Sequence, residues 1–205
     1  MKKSLTIILI LLSSPAYASD LLTRALMKYE QRLHDDANMP NLIEEVKQAL
    51  ADESSVVLDL SSHRAFYLSE SHFDPLPPKL PDRIISIDFS SNYISASNIS
   101  YGLLKLTDNI KEIDLSHNFI GIGSIGLNSI DILIQNMPPH IERLYLDQNL
   151  IDDDGLKLLV SGIPSCLSLL FLDRNRFSNE GTKCLRDAGF YRFKGNIWQR
   201  VIFYV

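Results

Sequence analysis

One nine-residue frame recurs five times along the chain and constrains its fold more than any other feature. The frame reads apolar, two residues, apolar, one residue, apolar, two residues, then Asn; the first copy is degenerate, with Ser in the first apolar position and His at the end. Its copies are Ser55–His63, Ile84–Asn92, Ile110–Asn118, Ile141–Asn149 and Leu167–Asn175. The last residues of successive copies lie 29, 26, 31 and 26 residues apart. A repeat of this length is typical of solenoid proteins.

The centre of each copy alternates apolar and polar residues, which predicts a short strand with its apolar side chains on one face. Parallel stacking of five such strands would bring these apolar residues into one core. The pairs are Leu58/Leu60, Ile87/Phe89, Ile113/Leu115, Leu144/Leu146 and Leu170/Leu172. The final amide of the frame is predicted to bond backbone groups of its own turn and of the next turn, forming a ladder. This structural role applies to Asn92, Asn118, Asn149 and Asn175.

The segments after the last two copies share the pattern N-x-(I/F)-x-x-x-G-x-x-x-L, and Pro pairs precede two of the strands, in LPPKLPDRI and MPPHIERL. These features resemble the ribonuclease-inhibitor-like class of leucine-rich repeat proteins, in particular exported bacterial ones. The resemblance covers about Ser55–Gly189. It implies an α/β fold, a short leucine-rich repeat solenoid with parallel strands on the concave side and helices or irregular turns on the convex side. Ser95–Leu106 and Gly121–Gln135 depart from the class and predict short or irregular helices.

Residues 1–18 have the pattern of a bacterial signal peptide. Lys2 and Lys3 precede the apolar segment Leu5–Leu12, and Ala16-Tyr17-Ala18 is a cleavage signal. The apolar segment is too short to span a bilayer, so stable membrane insertion is not expected. We therefore expect an exported protein, either secreted or periplasmic.

Three further segments follow the signal peptide. Residues 19–54 show helical spacing of apolar residues and predict a helical N-terminal cap. Residues 55–189 hold the repeats. Residues 190–205 are rich in aromatic side chains, and Lys194-Gly195-Asn196 predicts the turn of a hairpin. We interpret this last segment as a strand-rich C-terminal cap, with an aromatic docking surface or export signal as the alternative.

The net negative charge of the chain limits the classes of partner that it can bind. The net charge is −5, and it becomes −7 when Lys2 and Lys3 leave with the signal peptide. An acidic chain is a poor ligand for nucleic acid or for an anionic membrane. A protein or peptide partner, with a basic one as a specific option, fits this charge better.

The polar strand positions form rows across the predicted concave face. One row reads Asp59, Asp88, Asp114, Tyr145, Phe171, and a neighbouring row contains Glu112, Arg143 and Leu169. A column of like charges on adjacent strands is unfavourable, which hints at a basic partner. Tyr145, Leu169 and Phe171 are predicted to be exposed anchors of an interface. The alternative is that Asp is simply the consensus residue at this position of the repeat and has no role in binding.

The sequence favours no catalytic or metal chemistry, and we expect no cofactor. The five His residues are scattered without metal-ligand spacing, and no Gly-rich phosphate loop or nucleophile elbow is present. Cys166 and Cys184 both lie in the last repeat. In an exported protein they suggest a disulfide, and two buried thiols are the alternative.

We therefore expect a non-catalytic, exported protein-binding module. The resemblance adds a secreted host-interaction or virulence role. One alternative is a structural or peptide-binding protein of the periplasm or envelope. A less favoured one is an enzyme that uses a carboxylate of the concave groove.

Overall fold

The computed structural model describes residues 56–61, 80–96, 99, 106–121 and 129–200. Within these ranges the chain forms seven strands and three helices. The strands are β1 (Val57–Asp59), β2 (Ser86–Asp88), β3 (Glu112–Asp114), β4 (Arg143–Tyr145), β5 (Leu169–Phe171), β6 (Phe190–Lys194) and β7 (Ile197–Arg200). The helices are α1 (Ser129–Gln135), α2 (Asp153–Gly162) and α3 (Asn179–Asp187).

The strands form one sheet in the order β1-β2-β3-β4-β5-β7-β6. Each of the first five strands comes from one copy of the frame, and the strands of consecutive copies pair in parallel. The last two strands form an antiparallel hairpin whose strand β7 pairs with β5. The prediction of a mixed α/β fold with parallel strands is thereby confirmed.

The alternation within the frame determines which side chains enter the core. The middle residue of every parallel strand is fully buried, and so is the apolar residue that follows the strand. All ten belong to one apolar cluster: Leu58, Leu60, Ile87, Phe89, Ile113, Leu115, Leu144, Leu146, Leu170 and Leu172. Since each strand contributes the same two positions, neighbouring copies extend a single core.

Helices α2 and α3 each begin after a residue whose side chain caps the helix. The carboxylate of Asp152 accepts a hydrogen bond from the N–H of Gly155 at 2.9 Å and caps α2. Ser178 caps α3 by accepting from the N–H of Glu180 at 3.1 Å. The two helices approach closely at Gly181. A Cβ atom at this position would lie only 2.6 Å from Oδ1 of Asp153. Helix α1, in the segment that departs from the class, has only seven residues.

The C-terminal hairpin packs into the same core as the parallel strands. Its turn lies at Gly195 and Asn196, as predicted. Phe190 and Trp198 are fully buried and belong to the apolar cluster. Cross-strand pairing places Trp198 beside Leu170 of β5. The hairpin thus continues the sheet as well as the core.

Several predictions lie outside the described residues. They are the signal peptide of residues 1–18, the N-terminal helices of residues 19–54, and residues 201–205 of the predicted C-terminal cap. Among the helices that the structure describes, none combines the length and the apolar character needed to cross a bilayer.

Candidate interaction surface

The side-chain amides that end the frame copies form hydrogen bonds with backbone groups of the turns. Oδ1 of Asn118 accepts from the N–H groups of Asn92 at 3.0 Å and Ile94 at 2.7 Å. Its Nδ2 donates to the carbonyls of Phe89 at 3.1 Å and Leu115 at 3.0 Å. The other ladder residues make the same kind of bond to the preceding copy: Asn92 to Leu60, Asn149 to Leu115, and Asn175 to Leu146. These side chains therefore hold consecutive turns together.

A left-handed backbone precedes each ladder amide. Ser91, His117, Gln148 and Arg174 all have φ between 52° and 62°. This conformation costs a residue with a Cβ about 1 kcal/mol or more. The ladder bonds on either side hold it in place. His117, the one histidine near the predicted groove, thus occupies a turn position that is common to four copies.

The strand register brings the predicted partner-binding residues into two continuous rows. We call this surface, made of the first and third residues of β1 to β5, the strand face. Asp59, Asp88, Asp114, Tyr145 and Phe171 lie side by side in one row. Glu112, Arg143 and Leu169 lie side by side in the other. Both rows continue onto the hairpin, through Ile197 in the first and through Gln199 and Tyr191 in the second.

The strand face is buried, so the prediction that Tyr145, Leu169 and Phe171 are exposed is wrong. Their exposed fractions are 1%, 7% and 7%. The rings of Tyr145 and Phe171 stack on each other, with centroids 4.2 Å apart. Neighbouring strands lie about 4.8 Å apart, so two aromatic side chains in register cover one another. Burial raises the pKa of the Tyr145 hydroxyl.

The charges of the strand face are engaged within the protein. The carboxylate of Glu112 forms an ion pair with the guanidinium of Arg143 and accepts from the hydroxyl of Ser86 at 3.2 Å. Because both ions are almost entirely buried, each needs the other as a partner. This row therefore carries an internal network across three adjacent strands.

The aspartates of the other row bond their own turns. Oδ1 of Asp88 accepts from the N–H of Ser90 at 2.9 Å, and Oδ1 of Asp114 accepts from the N–H of Ser116 at 2.8 Å. Asp59 makes the same bond to Ser61 at 3.0 Å. Since one oxygen of each carboxylate is engaged in this way, the row favours the structural interpretation over recognition of a basic partner.

An exposed aromatic pair lies beyond the carboxyl ends of β2 and β3. Tyr93 and Phe119 directly follow two ladder amides, and they are 38% and 46% exposed. Their ring centroids are 5.6 Å apart. The N–H of Phe119 donates to the carbonyl of Ile94 at 2.7 Å, which ties the two turns together. We call Tyr93 and Phe119 the aromatic margin.

The aromatic margin was not predicted from the sequence. The available signal was an aromatic residue directly after the final Asn in two consecutive copies. The alternating pattern predicted binding residues at strand positions within the frame, whereas the exposed rings lie one position beyond its final Asn.

A cleft of about 450 Å³ lies near the turns that precede the strands. Its lining includes Asp82, Asp108, Asn109, Lys111, His140, Glu142 and Cys166. Lys111 and Glu142 neutralise each other through an ion pair of 2.8 Å. Burial raises the pKa of the Cys166 thiol, which lowers the fraction of reactive thiolate at neutral pH. Within the described part of the chain, no three His, Cys, Asp or Glu side chains are placed to hold a metal ion.

Cys166 and Cys184 are both free thiols, so the disulfide that the sequence suggested is not formed in this structure. Cys166 lies in the turn before β5, and its Sγ donates to the carbonyls of Pro139 and Ile141 at 3.2 Å. Cys184 lies on α3. The thiol of Cys166 is thus directed to the preceding copy of the frame, away from the helix that carries the other cysteine.

Comparison with known proteins gives structural similarity alone. No protein-family model matches the chain, and no curated protein matches it significantly. The leucine-rich repeat-containing protein LegL7 from Legionella pneumophila is similar to it with a TM-score of 0.44 and 20% sequence identity. The similarity covers 69% of this chain and 53% of LegL7, so the chain spans about half the length of that protein.

Proposed function

We propose that this protein is an exported, non-catalytic protein-binding module, built as a short leucine-rich repeat solenoid with a helical N-terminal cap and a strand-rich C-terminal cap. Five parallel strands that come from five copies of one frame support the solenoid. The ladder amides support it as well, because each joins its own copy to its neighbours. The hairpin supports the C-terminal cap, since Phe190 and Trp198 extend the core beyond the last parallel strand.

The aromatic margin is the observation that carries the binding function. Tyr93 and Phe119 are large, exposed and in contact with each other. Exposed aromatic side chains that are already ordered lose little entropy on binding, and Tyr is enriched in the energetic centres of interfaces. The ladder bonds of Asn118 to Asn92 and Ile94 fix the turns that carry both rings.

The buried strand face has a supporting role in this proposal. The stack of Tyr145 on Phe171 and the ion pair of Glu112 with Arg143 join side chains of β3, β4 and β5. The turns that carry the aromatic margin follow β2 and β3 of the same sheet. Residues of the strand face contribute to binding by positioning the aromatic margin.

Charge favours a basic partner. Asp147 and Asp173 follow β4 and β5 at the carboxyl ends of the parallel strands and are partly exposed, and each also has a contact within the protein: Oδ1 of Asp147 accepts from the N–H of Asp173 at 2.6 Å, and Asp173 lies 3.8 Å from Arg174. Opposite charge across an interface accelerates encounter and excludes partners of the wrong sign. The net charge of −5 points in the same direction. A protein or peptide with a basic, apolar docking segment fits this edge.

Export follows from the sequence pattern of residues 1–18, and the resemblance to exported bacterial leucine-rich repeat proteins adds a role toward host proteins. A fusion of the N-terminal segment, through the predicted cleavage signal, to alkaline phosphatase tests the first part. Activity outside the cytoplasm is expected. It should disappear when Lys2, Lys3 and the apolar segment are replaced. Activity retained only in the cytoplasm would contradict export.

Binding is tested by affinity capture from host-cell and bacterial-envelope lysates. The bait is the full chain, compared with the double variant Tyr93→Ala/Phe119→Ala. The control is Val56→Ala, which removes an exposed apolar side chain next to β1. We expect a partner that the wild type and the control capture and the margin variant loses. Equal capture by all three baits would show that the aromatic margin does not carry binding.

A further inference from the structure

The edge strand β6 carries a second exposed surface. In the sheet order β6 is the last strand, and among the described strands its only neighbour is β7. Its outer edge therefore presents a row of backbone N–H and C=O groups outside the sheet ladder. Tyr191 and Phe193 are 64% and 39% exposed. Tyr191 is the most exposed large hydrophobic side chain among the described residues.

The hairpin holds this edge in place. Phe190, the first residue of β6, is fully buried, and the guanidinium of Arg200 lies 4.2 Å above its ring. The backbone N–H of Arg200 donates to the carbonyl of Ser168, the residue before β5, at 2.9 Å. A rigid, exposed strand edge is the feature that peptide-binding domains use to accept an additional strand.

The charge of the hairpin is opposite to that of the whole chain. Between Phe190 and Arg200 the sequence has three basic residues and no acidic one, whereas the chain carries a net charge of −5. The guanidinium of Arg192 lies at the tip of the hairpin, bonded to the carbonyl of Gly195 and to Oδ1 of Asn196. Because Arg192 is exposed, its charge acts on whatever approaches this edge.

The same charge disfavours a second copy of this chain at the edge. Arg192 is the central residue of β6, so antiparallel pairing of two copies about their centres would set the two Arg192 side chains opposite each other. Like charges in directly opposed positions destabilise a strand pair. The bulge between Arg192 and Lys194 further interrupts a regular ladder. Both features are known protections against self-association, and neither excludes a short acidic strand.

We propose that β6 is a second binding site, at which an extended, acidic peptide segment of another protein adds to the sheet as an eighth strand. Backbone hydrogen bonds to the outer edge of β6 supply part of the affinity. Alternate side chains of the peptide pack on Tyr191 and Phe193, and its carboxylates face Arg192. This site is separate from the aromatic margin and differs from it in the charge of the partner.

The test uses three labelled synthetic peptides and the full chain. The first alternates Glu and Val, the second alternates Lys and Val, and the third has the Glu-Val sequence with alternate backbone nitrogens methylated. Fluorescence anisotropy should show at least about tenfold tighter binding of the Glu-Val peptide than of the other two. The methylated peptide keeps every side chain but loses the strand hydrogen bonds. Equal binding of the methylated peptide would overturn strand addition.

Variants of the protein test whether the peptides bind at β6. Arg192→Glu should weaken the Glu-Val peptide and strengthen the Lys-Val peptide, each by about tenfold. Tyr93→Ala/Phe119→Ala should leave both affinities unchanged, which separates this site from the aromatic margin. An Arg192→Glu variant that folds by circular dichroism and keeps the wild-type preference would overturn the proposal. So would concentration-dependent dimerisation by sedimentation that Tyr191→Arg abolishes, because a second copy would then occupy the edge.

Discussion

The parallel strands and the C-terminal hairpin use the same sheet in opposite ways. In the parallel region the polar groups at each turn are bonded by amides of the adjoining copies, and the strand face is almost entirely buried. In the hairpin one strand has a neighbour on a single side, and Tyr191 is 64% exposed. The contrast shows that side chains at the strand positions of the frame are mostly buried and have a structural role. Aromatic side chains directly beyond the frame or on the edge strand β6 are accessible.

The two regions also differ in charge. The strand face contains Asp59, Asp88, Asp114 and Glu112, and the hairpin contains Arg192, Lys194 and Arg200 without any acidic residue. Most carboxylates of the strand face have partners within the protein, so they contribute little to recognition by contact. The electrostatic potential of the acidic strand face and that of the basic hairpin differ in sign, so they still steer partners of opposite charge to different places. Four measurements test this comparison.

Removal of the buried hairpin tryptophan should have the largest effect. Trp198 is fully buried against Leu170, so Trp198→Ala should lower the free energy of unfolding by about 3–5 kcal/mol. Tyr191→Ala is the control within the same hairpin and should change it by less than about 0.5 kcal/mol. Urea unfolding followed by circular dichroism measures both. Equal, small effects would show that the hairpin is not part of the cooperative unit.

Loss of one ladder amide should come next. Asn118→Ala leaves the N–H groups of Asn92 and Ile94 without this acceptor, removes one of the donors to the carbonyls of Phe89 and Leu115, and should cost about 2–4 kcal/mol in urea unfolding. Asn109→Ala is the control. Its exposed side chain makes one bond, of 3.2 Å to the carbonyl of Asp82, and its loss should cost less than about 0.5 kcal/mol. A similar cost for both would contradict a ladder that holds the copies together.

A smaller, pH-dependent effect should come from Asp153. The hydroxyl and N–H of Ser178 hold the pKa of this carboxyl below its usual value, and the N–H of Gly181 adds to this. A carboxyl whose pKa is lowered on folding stabilises the protein above its unfolded pKa of about 3.9, and this contribution is lost as the pH falls through the folded pKa.

Urea midpoints of the wild type and Asp153→Asn should therefore differ above pH ~5 and converge at lower pH. Asp154→Asn is the control. It removes a charge one residue away that bonds only Lys157 at 3.3 Å among the contacts described. A difference between wild type and Asp153→Asn that stays constant with pH would argue against the link between α2 and α3 through this carboxylate.

Removal of the Tyr145 hydroxyl should have the smallest effect. This hydroxyl is buried and has no hydrogen-bond partner among the described residues. Tyr145→Phe should therefore leave the free energy of unfolding unchanged or raise it by up to about 1 kcal/mol. It also keeps the stack on Phe171, whereas Tyr145→Ala removes it and serves as the comparison. A loss of more than about 1 kcal/mol in Tyr145→Phe would mean that the hydroxyl is bonded in solution.

The sequence predicted the local features well, because each depends on residues close in the chain. The alternation around Leu58, Ile87 and Leu144 predicted strands with one apolar face. Lys194-Gly195-Asn196 predicted the hairpin turn. A strand, a cap and a turn are each set by the pattern of a few consecutive side chains, so one chain is enough to find them.

The solvent exposure of the candidate binding residues could not be predicted from the sequence. The alternation placed Tyr145 and Phe171 on the face away from the core, but whether that face meets solvent depends on how the whole chain packs. The same limit applies to the disulfide, because the chain separation of Cys166 and Cys184 says nothing about the direction of either thiol. Tyr93 and Phe119 became a pair only when two turns, 26 residues apart in the chain, were joined by the ladder bonds of Asn118.

The sequence by itself determined the strands, their parallel order and the composition of the core, because burial of a periodic apolar pattern allows few other arrangements. Only the tertiary structure decided which polar and aromatic residues are engaged internally and which remain accessible. Hydrogen bonds between copies and the single-sided position of β6 are properties of the assembled sheet. The accessible aromatic rings on which binding is proposed lie one position beyond the frame, at Tyr93 and Phe119, and on the edge strand β6.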